Sequence, residues 1–144
     1  MNTDKIIWFG RYEGWLRLLA RGVRDRDVEC IKKAAHLFDV MLPDNAVVVP
    51  MPAHTGRADA MLVVAKMTGR KVADCLRCAP HESNYSQKRD GFTPTWIPMF
   101  ADGETPEGDL WIIDNVIASG VTANAAMCAL PGARLCALAY SPFR

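Results

Sequence analysis

The segment Leu110-Trp111-Ile112-Ile113-Asp114-Asn115-Val116-Ile117-Ala118-Ser119-Gly120-Val121-Thr122 concentrates the chemistry of this chain. An apolar run meets a carboxylate, and a loop of small residues then enters a helix. Ser119 and Thr122 offer hydroxyls, and Gly120 lets an anion approach the backbone. The amides opening the helix point at the same place, with the positive end of the helix dipole behind them. Such a cradle suits a monophosphate. Asp114, expected at the strand tip beside it, can accept hydrogen bonds from sugar hydroxyls or help to hold a hydrated divalent ion. Phosphate plus ribose is the ligand these residue types imply.

A second constellation is His54-Thr55-Gly56-Arg57, which follows the strand-like run ending in Val49-Pro50-Met51-Pro52. Gly56 permits tight backbone geometry, and Arg57 can pair with phosphate oxygens.

Together these residues resemble the phosphoribosyltransferases of type I fold, whose hallmark is four apolar residues, two acidic ones and a loop ending in Thr-Gly or a variant. Here Asn115 stands at the second acidic position and Ser119 at the position before the glycine. The likeness extends along nearly the whole chain to the ComF-like, competence-associated subgroup. Tyr12-Glu13-Gly14-Trp15-Leu16-Arg17 is similar to its aromatic-Glu-Gly helix start, and Val48-Val49-Pro50-Met51-Pro52-Ala53-His54 to its Val-Pro-Val-Pro-Leu-His segment. The chain resembles that subgroup without its N-terminal zinc module.

The resemblance implies an Mg2+-dependent glycosyltransferase of nucleotide metabolism. It would pass the phosphoribosyl group of phosphoribosyl diphosphate (PRPP) to a nitrogenous acceptor with release of pyrophosphate. It implies a 5'-phosphate site at Ala118, Ser119, Gly120, Val121 and Thr122, and ribose contacts from Asp114 and Asn115. Pyrophosphate would fall to His54, Thr55, Gly56 and Arg57, and the metal contact, indirect or through PRPP, to Asp114. The family also closes a mobile loop over the reacting centre, and the counterpart is Gln87-Lys88-Arg89. Lys88 or Arg89 would neutralise charge on the leaving pyrophosphate, so the expected catalytic set is Asp114, Lys88 and Arg89. Ala118 occupies the place where purine salvage enzymes carry an acid, which argues against a purine acceptor. The alternative, favoured by Asn115, is a regulatory module that binds PRPP or nucleotides without turnover, or a scaffold in DNA uptake.

The elements that must position these residues follow an alternating pattern. Residues 5–9 read as an edge strand or extended arm, 13–23 as an amphipathic helix, and a second helix starts near Asp25 or Asp27 and stops before Pro43. Residues 46–49 form a β-branched run suited to a strand buried on both faces. A helix over about 57–68 closes at Gly69, and 71–78 reads as another strand. Residues 79–108 form a long connection, 110–113 a second buried strand, about 122–130 a helix and 134–140 the last strand. The expected fold class is α/β: an open, mostly parallel twisted sheet, type I phosphoribosyltransferase-like, with helices on both faces. The expected organisation is one domain over 1–144, with 1–45 an N-terminal arm and helices forming part of a hood and 46–144 the core.

Composition narrows the function classes. The 144 residues are 50% apolar, with 17 basic against 16 acidic side chains and a net charge of +1. A chain of this length buries about two-thirds of its unfolded surface, so a core needs no staples. The balanced charge argues against a nucleic-acid reader, and the basic helix face Arg17, Arg21 and Arg24 reads as solvated surface. The apolar runs are too short for a membrane span, and no secretory signal is visible, so a cytoplasmic protein is expected. Five cysteines without framework spacing fit reduced thiols. Cys75-Leu76-Arg77-Cys78 followed by His81 has metal-like spacing but no second cluster, so core or surface thiols are expected there. Composition leaves the oligomeric state open; the resemblance to the type I family implies a homodimer as one option, to whose contact Trp8 or Trp96 could contribute.

Overall fold

Alternation of apolar residues to opposite faces of a parallel sheet organises the core. The computed structural model describes residues 3–80 and 98–142. After a 3-10 turn, β1 (Ile6–Arg11) leads into α1 (Gly14–Arg24) and α2 (Val28–Met41); β2 (Ala46–Pro50) and α3 (Ala60–Met67) follow. Next come the short strands β3 (Leu76–Cys78) and β4 (Met99–Ala101), then β5 (Asp109–Ile117), α4 (Val121–Ala129) and β6 (Arg134–Tyr140).

The main sheet has the order β1-β6-β5-β2, and every pairing in it is parallel. Val47, Val49, Leu110, Ile112, Leu135 and Ala137 point to one face, where α4 and the β3–β4 pair cover them. Val48, Trp111, Ile113, Cys136 and Leu138 point to the other, beneath α2 and α3. Helices therefore cover both faces, and the α/β class expected from the pattern is the one observed. Two-sided burial explains why β2 and the first part of β5 are continuous apolar runs.

The helix boundaries have local causes. Asp27 accepts the Cys30 amide at 3.0 Å and caps α2, and that bond holds its carboxyl below the ordinary value. At the other end of α2 the buried guanidinium of Arg70 donates to the carbonyl oxygens of Pro43 (2.9 Å), Leu42 (2.9 Å) and Asp39 (3.3 Å), and to the Asp39 carboxylate. One forked cation thus satisfies carbonyls that the helix end leaves open.

Three expectations need revision. The helix expected from about residue 57 starts at Ala60, because residues 53–57 close into a tight turn through Ala53 N–H to Arg57 O and Gly56 N–H to Ala53 O, both 2.9 Å. The strand expected over 71–78 is two pieces: Lys71 and Ala73 bond the backbone of Val48, and β3 then pairs antiparallel with β4. The chain leaves the main sheet between them at Asp74, whose carboxylate and carbonyl both accept from Arg77 at 3.0 Å. The strand expected to stop at Ile113 continues to Ile117, because β6 goes on pairing with it after β2 has ended.

Candidate functional site

The crevice arises where two neighbouring strands end at different heights. β2 stops at Pro50, opposite Ile113, and Pro50-Met51-Pro52 turns the chain away. Among the described residues β5 runs on past that point with β6 on one flank only, pairing Asp114 with Ala137 and Val116 with Ala139. Asp114 therefore sits within a strand rather than at its tip, but at the carboxyl end of its β2 neighbour. That is the position where parallel α/β sheets collect ligands.

Three adjoining cavities share Asp114. The first, of about 120 Å³, is the loop beyond β5, with Ile117, Ala118, Ser119, Gly120 and Thr122 in its wall. Gly120 adopts φ 87°, which an L side chain rarely tolerates, and it opens α4 with no capping side chain. The Val121 amide makes a long contact of 3.4 Å to Ser119 Oγ. The opening turn of α4 and the Ser119 and Thr122 hydroxyls thus surround one small space suited to an anion.

The second cavity, about 250 Å³, runs from Asp114 and Asn115 to Pro52, Ala53, His54 and Thr55. Its floor is held from behind. Gly56 has φ 111°, its carbonyl accepts the Cys78 amide at 3.0 Å, and Cys78 Sγ reaches Ala53 O at 3.4 Å. The structure brings His54 and Thr55 to the crevice, buries Gly56 behind the turn and leaves Arg57 exposed outside that cavity's wall.

The third, about 280 Å³, extends from Asp114 and Thr122 towards α1, where Tyr12, Arg21 and Arg24 border it opposite Met51 and Pro52. Arg17, Arg21 and Arg24 are exposed, as a solvated face requires, yet two of the three line the crevice and Arg17 lies over the Tyr12 ring at 5.9 Å. Nothing in their spacing on α1 could reveal this, since it depends on where α1 docks.

Electrostatics single out Asp114. Burial pushes its carboxyl up from 3.8 to about 7, opposed only by the Asn115 amide that donates to it at 2.7 Å. Asn115 turns its side chain away, donating Nδ2 to the Ala20 carbonyl at 2.7 Å. An acid there would have no proton to give to that carbonyl at neutral pH, which accounts physically for an amide beside Asp114.

Lys88, Arg89 and His81 lie outside the described residues, as does Trp96. Trp8 is partly exposed and stacks on Tyr140 with ring centroids 4.8 Å apart. Cys75 and Cys78 are buried free thiols, and burial raises the pKa of both. Among the described residues no group of three or more His, Cys, Asp or Glu side chains could hold a metal ion, and no helix is long and apolar enough to cross a membrane. No protein-family model and no curated protein matches the chain.

Proposed function

We propose that this protein binds phosphoribosyl diphosphate and transfers its phosphoribosyl group to a nitrogen acceptor. The observation that carries the reading is the carboxylate of Asp114, which all three cavities share. The loop 118–122 would take the terminal phosphate, Asp114 the ribose diol and the His54–Thr55 turn the diphosphate. The type I phosphoribosyltransferase likeness, in its ComF-like form, supports the same assignment. The sugar carbon breaks its bond to a diphosphate oxygen and forms one to nitrogen, so charge develops on both sugar and leaving group. Positioned dipoles suffice for that, and no covalent nucleophile is required.

The residues present fit Mg2+ as an ion that arrives with the substrate. Such ions keep several waters and use one or two carboxylates together with substrate phosphates. Among the described residues Asp114 is the carboxylate common to all three cavities; Asp59, which also lines the second, is paired with Arg26 at 2.9 Å, and Asn115 is engaged with Ala20. When bound, the ion would supply charge neutralisation to the diphosphate.

The engagement of Asn115 also favours a second reading, a regulatory protein that binds the same compound without turnover. One experiment decides between them. PRPP and Mg2+ are titrated calorimetrically into the protein, and pyrophosphate release is then followed with a panel of nitrogenous bases. Binding plus release, both lost in Asp114→Ala, supports the transferase. Binding with no release for any base supports the regulator, and absence of binding overturns both.

A further inference from the structure

We propose that the third cavity selects a small planar acceptor bearing a negative charge, and that Arg21 reads that charge. This rests on the phosphoribosyl reading of the neighbouring cradle, with which the cavity shares Asp114 and Thr122.

Size comes first. At about 280 Å³ the space lies just below the range of roughly 300–1,000 Å³ that houses drug-sized ligands, so its occupant is small. Shape follows from the walls: Met51, Pro52 and Val116 supply apolar surface, and the half-buried Tyr12 supplies an aromatic ring. The Arg17 guanidinium already lies 5.9 Å from the centroid of the Tyr12 ring, so a flat occupant would pack on the remaining ring surface and on Met51 and Pro52.

Charge is decided by what faces the space. Arg21 and Arg24 stand one turn apart on α1 and both border the cavity, while among the described residues the one acid in its wall is Asp114. Asp114 also lines the other two cavities, and in the phosphoribosyl reading its carboxyl meets the ribose diol. Arg24 has a 3.5 Å contact with Asp25 and also borders the cavity over His54, so its charge is shared. Arg21 has no ion pair among the described residues and lines the third cavity but not the second. A guanidinium in that position recognises a carboxylate through two parallel N–H donors, which a neutral amide on the same ring cannot match.

The test uses pairs of ligands that differ in charge alone: pyridine and pyrimidine ring carboxylates against the corresponding carboxamides. Each is titrated into the full chain, with and without saturating PRPP and Mg2+, for the parent and for Arg21→Gln. Arg21 is exposed, so the variant is expected to fold, and thermal unfolding checks this. The expected result is a carboxylate preference of about tenfold or more in the saturated protein, lost in Arg21→Gln while PRPP affinity is unchanged. Equal affinity for both members of every pair overturns the inference and leaves the phosphoribosyl reading intact. So does a variant that loses PRPP affinity instead, because Arg21 would then serve the diphosphate. If PRPP does not bind, the phosphoribosyl reading fails; a carboxylate preference that persists without it, and depends on Arg21, still supports an anion-selective cavity, and its absence overturns both.

Discussion

The side-chain amide of Asn115 donates to the carbonyl oxygen of Ala20 at 2.7 Å, tying β5 to α1 across 95 residues of sequence. This bond joins the helix that borders one side of the crevice, itself packed through Leu16 and Leu19, to the strand that carries Asp114. Its Oδ1 is buried and has no hydrogen-bond partner among the described residues, so the donor function is what the site uses. Asn115→Asp removes the donor and sets a carboxylate oxygen against a carbonyl. We expect a loss of about 1–3 kcal/mol at neutral pH, partly recovered on acidification as the new carboxyl takes up a proton. Urea unfolding at two pH values measures this; a variant as stable as the parent at neutral pH would contradict it.

Asp114 makes stability depend on pH in a defined direction. Its native carboxyl titrates at about 7, against 3.8 for an unburied one, so folding favours the protonated form. That contribution is fully present below the unfolded value, is lost as pH rises towards the native one, and leaves a constant penalty above it. Asp114→Asn is therefore expected to stabilise the protein by on the order of 2–4 kcal/mol at about pH 8 and to make little difference at about pH 3. Chemical unfolding curves across that range provide the check, and a stability gap independent of pH would refute the assignment.

Gly56 and Gly69 offer a controlled comparison. Both have positive φ, 111° and 73°, but a Cβ on Gly56 would meet the Cys78 carbonyl oxygen at 2.9 Å whereas one on Gly69 meets nothing within 4 Å. Gly69→Ala should cost about 1 kcal/mol from backbone strain alone. Gly56→Ala should cost about 2–3 kcal/mol and loosen the turn that presents His54 and Thr55, since backbone on both sides must shift. Unfolding midpoints of the two variants, measured together, test the ranking.

Arg70 holds the end of α2 against the chain that leaves α3. Arg70→Ala leaves the Pro43 and Leu42 carbonyls without their 2.9 Å donors, an expected loss of about 2–4 kcal/mol. Arg70→Lys should recover less than half of this, because a single ammonium cannot span the planar fork. Equal stability of the lysine variant and the parent would show that charge rather than geometry is what matters there.

Much of this architecture was legible without coordinates, because buried parallel strands and amphipathic helices impose local periodicities. The run 46–49, the helix ending before Pro43 and the last strand at 134–140 were all recoverable from apolar spacing and from capping or breaking residues. The grouping of Asp114, Ser119, Gly120 and Thr122 was legible for the same reason: the chain passes through them within nine residues. The extent of β5 was not read from it, although the β-branched pair Val116-Ile117 was a signal for it. A strand ends where its partners stop bonding to it, and β6 continues where β2 does not. The placement of Arg21 on the crevice, the bond from Asn115 to Ala20 and the clasp of Arg70 on α2 were equally beyond reach. Each joins residues far apart in the chain, so only the docking of packed elements, driven by burial and not by any local propensity, could bring them together.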